Sequence, residues 1–536
     1  MNLSQFFEHW AIVENPFRGE EARTDTIFAR MGIAGGGGAA GGGGTMGGED
    51  NSPGRVRLVR PATPATHAEF EKILGEPDRP STSIVFGEKG SGKTAIRLQI
   101  ADRIARHNEE NPERRVLLIP YDDLNTHLDH YARVTGADKK KDDPFGGMRL
   151  VDHLDAIVSI GTGRIVNALL TGSDRPPPAM IEDAGRRARK LPLSVRRELL
   201  LLQALYDTGD TTGARTAALK RILRLSGSGP KALIATGVWV GWVPAVALFV
   251  WGQFFSGLGE ATRTGLLIGA GVLLAAWLGL LLKVTLIDRM VDRHVAQRVA
   301  KQLRMVPRTA GALTASLGKL DRSIAPTDAL PVSGSEEVRY ALLARLQRVA
   351  GAFGFPTVLV LMDRVDEPTL VRGDPQRMRS IVWPMLSHKF LQHDGLAIKM
   401  LLPIELRHAL FKESSAFFQE ARLDKQNLVE RLSWTGAMLY DLCNARLATC
   451  RPVSAETISL ADLFAEDVER QDLVDALDHM QQPRDAFKFL YRCITEHCAS
   501  VTGEEGAWRI PRHVLETVRK AETERVMGLQ RGIRPA

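Results

Sequence analysis

The chain has 536 residues and a formal net charge of +7, with 44% hydrophobic, 25% charged and 6% aromatic residues. That composition excludes a disordered, collagenous or disulfide-scaffold protein and leaves apolar material for about two to four structural units. The positive excess points to an anionic partner, nucleic acid or a lipid surface, and its position along the chain has to decide between them.

Residues 1–34 carry Phe6, Phe7, Trp10, Phe17 and Phe28 and read as a compact N-terminal segment. No basic stretch followed by an apolar run opens the chain, so no cleavable signal peptide is expected. Asn15-Pro16-Phe17 reads as a turn anchored by Phe17. Residues 35–54 open on a run of glycine and alanine that cannot bury a core and predicts a flexible loop.

Residues 55–145 hold two short apolar runs, 82–86 and 116–121, that read as buried strands. After the first comes Gly87-Glu88-Lys89-Gly90-Ser91-Gly92-Lys93-Thr94, which fits G-x-x-x-x-G-K-[ST]. In such a loop the glycines let backbone N–H groups converge on phosphates. Lys93 would reach the β- and γ-phosphates, and the Thr94 hydroxyl would help hold Mg²⁺. Residues 95–106 follow as a predicted helix with Ile96, Ile100 and Ile104 on one stripe, so a helix N-terminus faces the anion. Asp122-Asp123, after the second strand, either faces the site or, as such pairs more often do, caps the next helix.

Residues 146–230 read as a helical, basic insert, with Arg186, Arg187, Arg189, Lys190, Arg196 and Arg197 close together. Aromatic residues for base stacking are not interleaved with them, so lipid headgroups explain the charge better and nucleic acid is the weaker reading. Residues 231–287 contain two apolar runs. The stretch 232–255 has no charge, and 265–282 has none either, with 284–287 extending it past Lys283. Each is long enough to cross a hydrocarbon core of ~30 Å. Arg215, Lys220, Arg221, Arg224 and Lys231 precede the pair, and Lys283, Arg289, Arg293, Arg298, Lys301 and Arg304 follow it. The positive-inside rule then makes both flanks and both termini cytoplasmic, with 256–264 outside, at an inner (cytoplasmic) membrane. No ionisable residue lies mid-span, which argues against a transport path. Gly265, Gly269 and Gly271 would let helices pack closely, leaving a homo-oligomer open.

Residues 288–350 read as cytoplasmic helices and 351–411 as the second part of the nucleotide core. Thr357-Val358-Leu359-Val360-Leu361-Met362 reads as a buried parallel strand ending in Asp363, placed to hold Mg²⁺ directly or through water. Glu367 or Asp366, just beyond, would orient water and take its proton. Residues 397–404 predict another buried strand, with Glu405 and Arg407 just beyond it. Residues 412–536 read as a helical lid and C-terminal region. Within it Gln482-Pro483-Arg484-Asp485 opens a helix with Phe487, Leu490, Tyr491 and Ile494 on its apolar side. The four cysteines, Cys443, Cys450, Cys493 and Cys498, contain no CxxC pair and are expected to be free thiols in a reducing cytoplasm.

Met362-Asp363-Arg364-Val365-Asp366-Glu367 resembles the strand ending of STAND-class NTPases and is similar to that of KAP-type NTPases, which carry transmembrane helices between their two nucleotide motifs. Arg364 departs from both patterns, where a small or acidic residue is usual. The resemblance implies a three-layer α/β P-loop NTPase of AAA-like (ASCE) type, with a parallel sheet, an inserted two-helix transmembrane hairpin and a helical lid. It implies ATP and Mg²⁺ as cofactors, a polar γ-phosphate sensor at the end of the strand 397–404, where Glu405 or Arg407 is nearest, and Arg484 as a lid arginine facing the γ-phosphate. It also implies a placement of Asn15-Pro16-Phe17 near adenine, and a regulated switch, in some relatives a defence against phages or mobile DNA, that acts with a protein partner or effector. No guanine-reading [NT]KxD motif is present, so ATP is expected over GTP.

Overall fold

A computed structural model of the chain describes residues 1–19, 21–31, 58–59, 66–79, 81–136, 143–170, 184–209, 211–225, 230–254, 260–321, 323–502 and 506–530. The Gly-rich stretch expected at 35–54 lies outside the described residues, as do residues 256–259 of the loop between the apolar runs. The chain divides into two compact units, one from Met1–Leu124 and Thr357–Ala536, the other from Asn125–Arg175 and Ala179–Pro356. The second unit is thus inserted between two strands of the first.

The first unit is built on a five-stranded parallel sheet: β1 (Ser83–Gly87), β2 (Val116–Tyr121), β3 (Thr357–Met362), β4 (Leu396–Pro403) and β5 (Asn427–Val429), in the order β2-β3-β4-β1-β5. Strands β1, β3 and β4 are buried at every position, which is why they read as near-continuous apolar runs rather than as alternation, with Lys399 the exception in β4. The helix Lys93–Glu110 lays Ile96, Ile100 and Ile104 into one core with Val85, Val116, Leu118, Leu359, Leu361 and Leu401. Strand β5 lies outside the expected elements. Its three residues are too few for a periodic pattern.

A second core in this unit joins the chain's two ends. Phe6, Phe17, Ile27 and Met31 pack with Leu439, Leu447, Leu477, Phe489, Leu490 and Cys493. The described residues of 1–31, expected to stand as a segment of their own, therefore share a core with the C-terminal helical region. In the helix Pro483–Ser500 the buried stripe runs through Ala486, Phe489, Leu490, Cys493, Ile494 and His497, while Tyr491 is exposed, contrary to its expected place on the apolar side. All four cysteines are free and buried.

The second unit is helical. The helix Leu150–Leu170, buried along most of its length, packs on Leu193–Tyr206 and Glu336–Ala352. The apolar runs form helices Pro230–Val240 and Val243–Phe254, joined by a short turn, and Glu260–Leu282, which continues through a π turn at Lys283–Ile287 into Asp288–Gln302. The break in the first run falls just before Pro244, whose ring excludes the carbonyl four residues back and whose missing N–H ends the ladder. Gly241 fits the turn because a Cβ there would sit 2.2 Å from the Gly237 carbonyl oxygen. Thr236–Phe254 and Glu260–Gln302 are long and apolar enough to cross a membrane, and Trp239 and Phe254 are about four-fifths exposed.

Candidate functional site

The loop 87–94 leaves the C-terminal end of β1 and turns into the helix Lys93–Glu110. Gly90 (φ +96°) and Gly92 (φ +93°) adopt left-handed conformations that a side chain resists. A Cβ at Gly90 would also press on Arg484 and Gln482 at 3.0 Å. Lys93 curls back over its own loop, its Nζ donating to the Gly87 carbonyl at 2.8 Å and to that of Glu88 at 2.9 Å. Burial lowers the Lys93 pKa, against the opposing pull of Asp363, Asp366, Glu405 and Glu88.

Asp363 closes β3 and is 1% exposed. Thr94 Oγ1 donates to its Oδ2 at 3.2 Å, and Arg97 Nε lies 3.4 Å from the same oxygen. Burial pushes the Asp363 carboxyl up to about 6, with Arg97 and Lys93 pulling the other way. Arg97 also meets Asp122 at 2.5 Å, and Arg23 meets Asp122 at 3.3 Å. Asp122 is thus turned to a buried arginine rather than capping the next helix as expected; that arginine would otherwise lie buried with only one long ion pair. Arg97 stands four residues after Lys93 on one helix face, a spacing that would have marked it in the sequence.

The two carboxylates beyond Asp363 are oriented differently. Asp366 is half-buried and within electrostatic reach of Lys93. Glu367 is turned to Arg364, whose Nη2 lies 2.5 Å from its Oε2 and 3.1 Å from Glu21 Oε1.

Residues of the C-terminal region pack over the loop. Trp434 Nε1 donates to the Ser91 carbonyl at 2.8 Å, and the Glu88 carboxylate accepts from Arg431 at 2.6 Å and from Gln482. His67 steadies Trp434 from the side, its ring edge-on at 4.8 Å. The cleft enclosed here is about 710 Å³. Lys89, Gly90, Gly92, Lys93, Thr94, Asp363, Asp366, Glu367 and Arg484 all line it, and Glu405 does too, while Arg407 pairs with Glu430 at 2.8 Å. Gly87, Glu88 and Ser91 do not line it. Among the described residues Ser91 Oγ has no hydrogen-bond partner and Arg484 has no ion pair.

From the N-terminal segment the cleft is lined by Gly19, Glu21, Ala22, Asp25 and Phe28, not by Asn15-Pro16-Phe17. Phe17 is buried, its N–H donating to Asn15 Oδ1 at 2.9 Å, and the Pro16 carbonyl accepts from Arg446 Nε at 2.7 Å. Asp25, Arg446, His67, Trp434 and Arg431 carry no local motif, and only the fold brings them together.

Thr94 and Asp363 offer one hydroxyl and one buried carboxylate, hard oxygen donors beside a roomy cleft. That suits a cation such as Mg²⁺, which keeps several waters and takes one or two protein oxygens. Among the described residues no group of three or more His, Cys, Asp or Glu is gathered as a metal site. Compared with protein-family models, with curated proteins and with solved structures, the chain matches none.

Proposed function

We propose that this chain is a membrane-anchored nucleoside triphosphatase of the STAND/KAP, AAA-like kind, binding ATP with Mg²⁺ and hydrolysing it to switch or power a complex. The observation that carries the reading is the meeting of Lys93, Thr94 and Asp363 at the C-terminal ends of β1 and β3, on the wall of a cleft large enough for a nucleotide. The strand order supports it, since β4 lies between β1 and β3 as the additional strand of the ASCE division. Lys93 would exchange its two loop carbonyls for the β- and γ-phosphates, Thr94 and Asp363 would hold the metal, and Arg484 would meet the γ-phosphate from the lid.

The apolar helix pair would anchor the ATPase in lipid, with both termini cytoplasmic and the basic helices at the headgroups. Reporter fusions after Leu258 and at the C-terminus should give opposite topology signals. A protein partner or effector, a homo-oligomer, and a role against phages or mobile DNA come from the resemblance alone.

Lys93→Ala is the test of the site. It should abolish ATP–Mg²⁺ binding by the detergent-solubilised chain, and wild-type affinity in that variant would refute the reading. A second reading, a nucleotide-binding scaffold with little hydrolysis, is favoured by the Arg364–Glu367 pair, which engages one of the two carboxylates available as a base. Replacing a general base costs ~10²–10⁴ in rate. Glu367→Gln or Asp366→Asn should therefore stop turnover while leaving ATP–Mg²⁺ bound, and turnover that neither substitution alters favours the scaffold.

A further inference from the structure

Arg364 is the residue that departs from the resemblance, and its geometry is unusual. It follows Asp363 directly and holds φ +62°, a left-handed conformation that costs an L-residue energy. The backbone is kept there by neighbours: Val365 is fully buried, and the Arg364 carbonyl accepts from the Glu367 N–H at 3.3 Å. Strain of this kind persists where the surroundings over-determine it, often at ligand sites. Here it sends the guanidinium to the wall of the cleft.

There one nitrogen serves two carboxylates from different parts of the chain. Arg364 Nη2 is 2.5 Å from Glu367 Oε2 and 3.1 Å from Glu21 Oε1. Both carboxylates are about half exposed, whereas the arginine is 17% exposed. The cation is fixed and its partners are on the wet side. Among the described residues its Nε has no hydrogen-bond partner, so donor capacity is left over. A guanidinium fork fits a phosphate group better than two separate carboxylates, because the phosphate brings more charge and several oxygens on one centre.

Residues 21–25, the strap that Arg364 holds through Glu21, are tied twice more. Arg23 meets Asp122 at 3.3 Å, and Asp25 accepts from Arg446 Nη1 at 2.6 Å. Residues 21, 23 and 25 thus connect the strap to the loop after β3, the end of β2 and the helix Gly436–Thr449.

Resting on the nucleotide reading above, we infer that Arg364 is a latch for the terminal phosphate of a nucleoside triphosphate. Without nucleotide it holds Glu367 and Glu21. A bound triphosphate takes the guanidinium, which frees Glu367 to accept a proton from water and removes one of the three ties on the strap. A diphosphate lacks the phosphate that competes, so the latch stays closed with ADP.

The latch predicts opposite changes in triphosphate affinity from two substitutions, read on the full chain in detergent with Mg²⁺ against a non-hydrolysable ATP analogue and ADP. Glu21→Gln removes a competitor and should tighten the analogue about 2–5-fold, the range of an exposed ion pair, with ADP unchanged. Arg364→Asn, chosen because Asn tolerates positive φ, should weaken the analogue about 10-fold or more, the range of a charge-assisted hydrogen bond, with ADP again unchanged. Parallel changes for both ligands, or an intact triphosphate preference in Arg364→Asn of wild-type thermal stability, would overturn the latch. If wild type binds neither ligand, as Lys93→Ala should, the nucleotide reading itself falls, so the two failures are distinguishable.

Discussion

Asp155 in the helical unit and Asp363 in the sheet unit are both buried, at 0% and 1% exposure, and burial raises both carboxyls to about 6. Their surroundings differ. Asp155 accepts from Tyr206 Oη at 2.7 Å and pairs with Arg339 at 3.3 Å, enclosed among packed helices. Its neighbour Asp152 is held by Arg304 at 2.5 and 2.8 Å and by the Arg149 N–H at 2.8 Å. Asp363 is held by a 3.2 Å hydroxyl, a 3.4 Å arginine and the backbone of Arg364, and it faces the cleft. A raised carboxyl alone therefore does not mark function. The distinction lies in whether the acid's partners are short and enclosed or long and open to a ligand.

The largest effects should separate the two acids. Arg339→Ala leaves Asp155 buried without its cation, and breaking a buried pair costs about 3–5 kcal/mol. Thermal or denaturant unfolding should show the helical unit destabilised on that scale, with ATP affinity of the remaining folded protein unchanged. Asp363→Asn keeps the Thr94 hydrogen bond and removes a charge that burial penalises. Its stability should be held or raised, while Mg²⁺-dependent ATP affinity or turnover falls by about 10²-fold or more. If Asp363→Asn unfolds the sheet unit as Arg339→Ala unfolds the helical one, both acids are structural and the comparison fails.

Lys399 sharpens the same contrast with opposite charge. It sits fully buried in the middle of β4, where among the described residues its partners are the Ser81 and Ser83 hydroxyls at 3.2 and 3.1 Å, and burial lowers its pKa to about 7. The unfolded chain binds this proton up to about pH 10.5 and the folded chain only up to about 7, so stability should rise with pH between those values. Lys399→Met removes the buried cation. It should stabilise the sheet unit by about 2–4 kcal/mol near pH 7, with the gain shrinking toward pH 10. Urea midpoints across that range, wild type against variant, check both the sign and the slope.

The parallel strands were legible because burial on both faces makes them near-continuous apolar runs. The runs 116–121 and 357–362 coincide with β2 and β3, and 82–86 and 397–404 lie one residue from β1 and β4. The glycines, lysine and threonine of the 87–94 loop were legible because their chemistry needs contiguous residues. The rest of the site was not, because it is assembled by long-range pairing that leaves no local period: Glu21 with Arg364, Asp25 with Arg446, Glu88 with Arg431, Trp434 with Ser91. The break at 241–242 in the first apolar run had a cue in Pro244, but hydropathy alone averages across it.

The smallest effect concerns the clasp over the loop. His67 is 3% exposed, and its two ring nitrogens have different duties. Nδ1 accepts from the Glu69 N–H at 3.0 Å, so Nε2 carries the proton and donates to the Ser433 carbonyl at 2.8 Å. Only the neutral ring can do both, and burial accordingly lowers its pKa below 6.5. For a base lowered on folding, the stabilisation is complete above pH 6.5 and is lost as pH falls below it, when the unfolded chain takes up the proton first. Wild type should therefore lose stability through this residue as pH falls below about 6.5. His67→Gln should be less stable by about 1 kcal/mol at pH 8, the worth of one hydrogen bond, and should lack that share of the acid slope. Because Trp434 packs on His67 and caps the Ser91 carbonyl, the same acidification should weaken ATP in wild type more than in His67→Gln. Identical acid slopes in stability and in ATP affinity for the two proteins would show that His67 packs against the loop without clasping it.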